Sequence, residues 1–380
     1  MYENDKRIVL TLDAGGTNFV FSAIRGNIQI VSPVCMPSCS DNLDRCLATL
    51  VAGFDAVIKS LDTPPVAISF AFPGPADYKN GVIGGNLPNF PSFRQGVALG
   101  PFLQHHYGIP VYIENDGNLF AYGEALSGAL PMVNRELEAM GHNRKYKNLL
   151  GITLGTGFGA GVVIDNRLLT GDNGWGGGGG VWGNTNNGCG GDVWLMRNKK
   201  YPSMLAEESV SIRAVKRVYR ELSGVQDAGL TPKDIYEIAE GIKEGDKKAA
   251  IASFQELGEM AGSAIASALN IVDGLVVIGG GLAGASHYIS PALVNELRAT
   301  LSMFSGEQFP CLQMEVYNWE DEMDRKKFLD YQHREVLIPG TSIKVPYNNT
   351  KSIAVMCSRE GASCSIMRGA YAYALSQLEV

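Results

Sequence analysis

Hydrophobic and polar positions along this chain switch repeatedly between two periods. Residues 8–26, IVLTLDAGGTNFVFSAIRG, alternate β-branched and aromatic side chains on both sides of two glycines, which predicts strand, tight turn, strand. Residues 41–61, DNLDRCLATLVAGFDAVIKSL, carry apolar positions at helical spacing behind an Asp able to cap the helix. A buried strand with a proline-glycine loop follows (64–77), then a helix (97–108), a strand (109–116) and a helix (117–129). A second strand–turn–strand is expected over 148–169, helices over 206–222, 249–272, 290–301 and 360–378, and a buried strand over 274–281. This alternation predicts an α/β fold. Between 303 and 352 no period is clear, and Glu320 to Lys327 form a charged stretch; the segment is expected to be an elaborated, solvated excursion.

Three glycine motifs end apolar strands: Asp13-Ala-Gly15-Gly16-Thr17-Asn18, Gly155-Thr156-Gly157-Phe-Gly159, and Gly279-Gly280-Gly281-Leu-Ala-Gly284. Glycine lets successive backbone N–H groups converge into an anion-binding nest that a Cβ would obstruct. Thr17 and Thr156 add hydroxyl donors, and Asp13 stands where a carboxylate could hold Mg²⁺, directly or through water, beside a triphosphate. The bland reading of any one turn is a hairpin. Gly279-x-Gly281-x-x-Gly284 also matches a dinucleotide fingerprint, with no clear acidic partner closing a following strand. The strand VYIE ends in Glu114-Asn115-Asp116: Asp116 is read either as the N-cap of the next helix or as the general base of phosphoryl transfer, with Asn115 bonding a sugar.

Composition narrows the setting. The 380 residues suggest two domains, and 45% hydrophobic with 19% charged residues is ordinary for a globular protein. A formal net charge of −7 gives no reason to expect nucleic acid or an anionic membrane as partner. Seven scattered cysteines, with no signal-peptide pattern, suggest a reducing cytoplasm.

DAGGTN, FPGPAD, NLP at 86–88, ENDGN, GTGFGAGVVIDNRLLTGDNG and VVIGGGLA resemble, in order and spacing, the ROK (repressor, open reading frame, kinase) family of sugar kinases, over nearly the whole chain except 182–204 and 303–352. The resemblance implies an actin/hexokinase-type (ribonuclease H-like) fold of two domains around a central cleft. The expected limits are 1–117 with the C-terminal helix 364–380 for the small domain, and 118–363 for the large one. It implies ATP and Mg²⁺, with phosphates on the two hairpins (Asp13, Gly15, Gly16, Thr17, Asn18; Gly155, Thr156, Gly157) and adenosine near Gly279, Gly280 and Gly281. Gly74, Asn86, Asn115 and Asp116 are implied at the sugar, Asp116 as base, and the implied assembly is a homodimer.

One stretch departs from the family. Residues 174–184, GWGGGGGVWGN, place Gly178 and Gly180 where relatives carry a sugar-binding Glu and a zinc-binding His. The run reads either as a flexible loop or as backbone passing close to a ligand, with Trp175 and Trp182 stacking on sugar or packing in a core. Cys189 is the only cysteine near the usual zinc loop, so no zinc is expected. Glu207 in Glu207-x-x-x-Ser211 is implied as a sugar contact; its bland reading is a charged first helical turn. The expected function is an ATP-dependent kinase of a hexose or hexose derivative. The other readings are a catalytically inactive sugar- and nucleotide-binding sensor, a transcriptional regulator (disfavoured by the acidic charge and the early phosphate turn) and a dinucleotide-dependent oxidoreductase.

Overall fold

The computed structural model describes residues 1–74, 76–172, 196–225, 229–330, 334–347 and 351–379. The first half builds one sheet. β1 (Val9–Ala14) and β2 (Asn18–Arg25) form the expected hairpin, extended by β3 (Ile28–Gln29) and β4 (Val34–Pro37) on the free side of β2. After α1 (Leu43–Ile58) the chain enters β5 (Ala67–Ala71), a small hairpin of β6 (Ala76–Asp77) and β7 (Val82–Ile83), α2 (Leu99–Tyr107) and β8 (Val111–Glu114). β5 and β8 lie parallel to β1. The cap of α1 is Asn42 rather than Asp41: its side chain accepts the Arg45 N–H, three residues on, as the Ncap geometry requires. One face of this sheet packs on an aromatic core of Phe19, Phe21, Phe54, Phe70, Phe72, Phe90 and Phe93.

α3 (Asp116–Leu126) and α4 (Ala129–Ala139) lead to a second sheet, opened by β9 (Leu149–Leu154), β10 (Phe158–Ile164) and β11 (Arg167–Leu168). The helices α5 (Ile212–Ser223), α6 (Pro232–Glu240) and α7 (Lys247–Val272) precede β12 (Leu275–Gly279), and α8 (Ser286–Leu297) follows it. Among its described residues, the segment expected to be irregular carries regular structure. It holds a hairpin of β13 (Thr300–Ser302) and β14 (Gln308–Pro310), then β15 (Glu315–Asn318), α9 (Glu322–Leu329) and a hairpin of β16 (Arg334–Leu337) and β17 (Lys344–Tyr347). The chain then returns through β18 (Ser352–Cys357) to α10 (Ala362–Leu378). The second sheet runs β11-β10-β9-β12-β18-β15, so β15 is a true edge strand of the main sheet. Trp319 and Phe328, within the "solvated" stretch, are buried.

α3 and α10 cross between the two sheets, α3 lying on β9 and β10 and α10 on β1, β5 and β8. Their approach is set by glycine: a Cβ on Gly369 would strike the Leu119 carbonyl, and one on Gly123 the Ser365 carbonyl. The fold is the α/β actin/hexokinase type. No helix of the described residues is long and apolar enough to cross a membrane.

Candidate active site

Strand register gathers the first group of residues. Asp13 pairs with Ala71 across β1 and β5, and Ala71 with Glu114 across β5 and β8. Parallel strands sit about 4.8 Å apart, so Asp13 and Glu114 share one sheet end at about 10 Å. The loop carrying Gly74 leaves the same end. There Tyr78 covers it, donating its hydroxyl to the Phe72 carbonyl at 2.9 Å.

The turn at Gly15–Gly16 is walled on its outer side. Ser38 and Ser40 donate to the Gly16 carbonyl at 2.5 and 3.0 Å. A Cβ on Gly16 would come within 2.8 Å of the Asn89 Cβ, so the backbone reaches its place only as glycine. Asn89 belongs to the same loop as Asn86. That loop is anchored by buried Leu87 and by Phe90, whose ring lies 4.6 Å from Phe72. Asn86, Asp13, Thr17 and Asn18 remain exposed above these anchors. The Asp13 side chain makes no hydrogen bond or ion pair with any described residue.

Asn115, not Asp116, caps α3: its Oδ1 accepts the N–H groups of Gly117 at 2.8 Å and Asn118 at 3.4 Å. Asp116 therefore takes the first helical position, with its own carboxylate 2.9 Å from the Gly117 N–H. Its side chain opens to solvent, but walls of protein thin the surrounding water. That loss of hydration raises its pKa above the usual carboxylate value, against the Gly117 N–H. Beneath it, buried Glu114 accepts the Asn115 N–H at 2.9 Å and the Asn118 amide at 3.0 Å. Desolvation pushes Glu114 up as well, opposed by those two donors and the Tyr373 hydroxyl. A Cβ on Gly117 would come within 2.7 Å of the Ala160 carbonyl, so the helix start rests directly on β10 of the second sheet.

The second turn is held from behind. The Ile212 N–H donates to the Gly155 carbonyl at 2.9 Å, and the Phe158 N–H to Glu207 Oε2 at 3.1 Å. Arg213 donates to the Thr156 carbonyl at 3.1 Å and to Glu207 Oε1 at 3.2 Å. Glu207 is 2% exposed, and its carboxyl is raised by burial, with the Phe158 N–H and Arg213 opposing. Glu207 lies, with Glu208, in the first turn of a short 3₁₀ helix (Ala206–Ser209), as its bland reading expects, and there its buried carboxylate braces the glycine turn. Ser38, Ser40, Asn89 and Arg213 were not singled out by sequence, because each reaches its turn from a distant segment.

Gly279 ends β12 opposite Thr153 of β9, which brings the third motif beside the second turn. Gly280 has φ +90°, a conformation that favours glycine, and a Cβ there would meet the Leu154 carbonyl. Gly281–Ala285 form a separate 3₁₀ turn before α8, unlike the direct strand-to-helix step of a dinucleotide site. The tract 174–184, with Trp175, Gly178, Gly180 and Trp182, and the expected zinc region with Cys189 lie outside the described residues. Among the described residues no cluster of three or more His, Cys, Asp or Glu side chains is arranged to hold a metal ion.

The family model described as ROK matches residues 9–321. The chain is similar to a solved glucokinase from Parabacteroides distasonis, at 58% identity over 99% of each chain with a TM-score of 0.86. It is 27% identical to a xylose repressor from Caldicellulosiruptor bescii over 70% of this chain and 64% of that protein. It is 29% identical to a glucokinase from Thermotoga maritima over 44% of this chain and 48% of that protein. The matches thus span about half to two-thirds of the length of these two curated relatives.

Proposed function

Because the chain belongs to the ROK family, we propose that it is an ATP- and Mg²⁺-dependent kinase that phosphorylates a hydroxyl of a hexose or hexose derivative. The observation that carries this reading is the register Asp13–Ala71–Glu114. It sets the Gly15–Gly16 turn and Asp116 at one sheet end, while Gly117, the next residue of α3, rests against β10 of the second sheet. Similarity to the Parabacteroides distasonis glucokinase over nearly all of both chains supports it.

In this reading the amides at Gly15–Gly16 and Gly155–Gly157 hold the phosphates, with Thr17, Asn18 and Thr156 beside them and adenosine near Gly279, Gly280 and Gly281. Gly74, Asn86 and Asn115 line the sugar side, joined by Gly178 of the glycine tract. Asp116 accepts the proton of the attacking hydroxyl as its oxygen bonds to the γ-phosphorus and the bond to the leaving ADP breaks. The raised pKa suits that base: a carboxylate with a higher proton affinity takes the proton more readily. Asp13 fits Mg²⁺, since its exposed carboxylate has no protein partner among the described residues. Bound Mg²⁺ would neutralise phosphate charge there.

The two domains (1–117 with 364–380, and 118–363), the cytoplasmic location, the homodimer and the absence of zinc belong to the same proposal. A panel of glucose, fructose, mannose and N-acetylated hexosamines, assayed with ATP by coupled ADP release, tests it; turnover of at least one sugar is expected. The similarity to a xylose repressor supports a second reading, an inactive sugar- and nucleotide-binding sensor. Nucleotide and sugar binding without ADP release on any member of the panel would favour it.

A further inference from the structure

Two hairpins stand out from the rest of the second sheet. No residue of β13, β14, β16 or β17 is buried. The two arms together expose ten large apolar side chains, among them Leu301, Phe309, Leu337, Ile343, Tyr347 and Phe304, the last completely. A lone two-stranded hairpin is marginally stable in water. So many large apolar side chains exposed on such arms mark a contact surface.

Strand register shows where the arms are rooted. Glu315 of β15 stands opposite Ser352 of β18 in parallel pairing. One hairpin runs into the start of β15 and the other into the start of β18, so both leave the same end of the sheet. β9 and β12 run parallel to β18. The glycine turns therefore emerge at the C-terminal end of the sheet and the apolar arms at its N-terminal end. A lid over the phosphate turns would be rooted at the other end.

We propose that these hairpins are the contact surface with a second copy of this chain, the arms of one copy packing against those of the other about a two-fold axis. Taking about 150–250 Å² for a large side chain, the exposed apolar groups present on the order of 1000 Å². A stable standard-sized interface needs about 800 Å² per partner. Charge selects the occupant. The hairpins hold two acids, Glu307 and Glu335, and two bases, Arg334 and Lys344, so they are neutral on a chain of net charge −7. Two copies meet here without the repulsion their other surfaces carry, whereas a strongly charged partner finds no complementary field. Pro310 in β14 and Pro346 in β17 remove backbone donors from the strands. That disfavours open-ended strand addition and leaves side-chain faces to make the contact.

The inference names the interface of the homodimer proposed above, and its failure leaves the kinase reading standing, because turnover is measured separately. Light-scattering-coupled size exclusion of the full chain at micromolar concentration should give twice the chain mass. The double variant Phe304→Asp, Leu337→Asp should elute as a monomer, with the dissociation constant raised at least about 100-fold, as expected for two truncated hot spots. Its thermal melting and any kinase turnover should stay near wild type, since both side chains are largely exposed. Hydrogen exchange of wild type supplies an independent readout: amides of 300–310 and 334–347 should gain protection as concentration rises. A monomeric wild type, a variant that still dimerises, or hairpin amides whose protection ignores concentration would each overturn the proposal. A monomer that sediments with phosphatidylcholine vesicles would overturn it too, by assigning the arms to a lipid surface.

Discussion

The turns at Gly15–Gly16 and Gly155–Gly157 begin from nearly the same words, LTLDAGG and ITLGTGFG, and end in opposite electrostatic settings. The first turn carries its carboxylate in front: the Asp13 side chain is exposed and makes no bond to a described residue, and the turn's outer wall is neutral, made of Ser38, Ser40 and Asn89. The second has glycine where the first has Asp13 and carries its carboxylate behind, where Glu207 is buried against the Phe158 N–H and Arg213. One acid opens to solvent, and the other holds the shape of the loop. Two copies of one local motif can therefore divide labour, with charge in one and rigidity in the other.

If the open acids do the chemistry and the concealed acid does the bracing, the variants should separate cleanly. Asp116→Asn should lower kcat by about 10²–10⁴, the usual size of a general-base contribution. The Michaelis constants and the melting temperature should move little; steady-state kinetics beside a thermal melt reads this directly. Asp13→Asn should come next, raising the magnesium concentration for half-maximal rate by roughly 10–100-fold, the scale found for perturbed metal sites. A magnesium titration at saturating ATP measures it, and an unchanged requirement would remove Asp13 from the metal.

The turns themselves should differ in tolerance. Gly16→Ala drives a Cβ to 2.8 Å from the Asn89 Cβ, whereas Gly157→Ala meets a carboxylate oxygen of Glu207 at 2.9 Å, the far end of a longer side chain. Overpacking of this kind costs about 1–3 kcal/mol. The KM for ATP should therefore rise about tenfold or more for Gly16→Ala and by less for Gly157→Ala, and equal effects would erase the contrast. Glu207→Ala should act on stability ahead of catalysis: an unpaired buried N–H and a weakened Arg213 contact cost about 1–3 kcal/mol, seen as a lower melting temperature.

The pH profile gives the smallest effect. The base must be deprotonated, and desolvation by the surrounding protein raises the Asp116 pKa, so kcat should begin to fall, as pH is lowered, at a higher pH than an ordinary carboxylate would impose. An acid limb at the ordinary carboxylate position would count against Asp116 as the base.

Most strands and helices could be read because their signals are local. α6 is legible: Thr231 and Asp234 make a capping box, with Pro232 in the first turn. β15 was not legible. Its four residues, EVYN, are too few to show alternation, and its partner β18 arrives 37 residues later in register. In the site, the glycine turns and Asp116 could be marked from the chain, and the dinucleotide match at 279–284 could be weakened but not removed. Its removal needed the intervening 3₁₀ turn.

The amino-acid order by itself determined where the backbone bends. Whether a residue has a Cβ, and what stands within three or four positions of it, decides turns, caps and strand pairing. It could not decide which carboxylates would be reactive. Asp116 and Glu207 are both raised by desolvation, yet one opens to solvent and the other is enclosed by Arg213 and the Phe158 amide. Hydration is set by atoms that distant parts of the chain bring near, so only the folded molecule could leave one acid open and enclose the other.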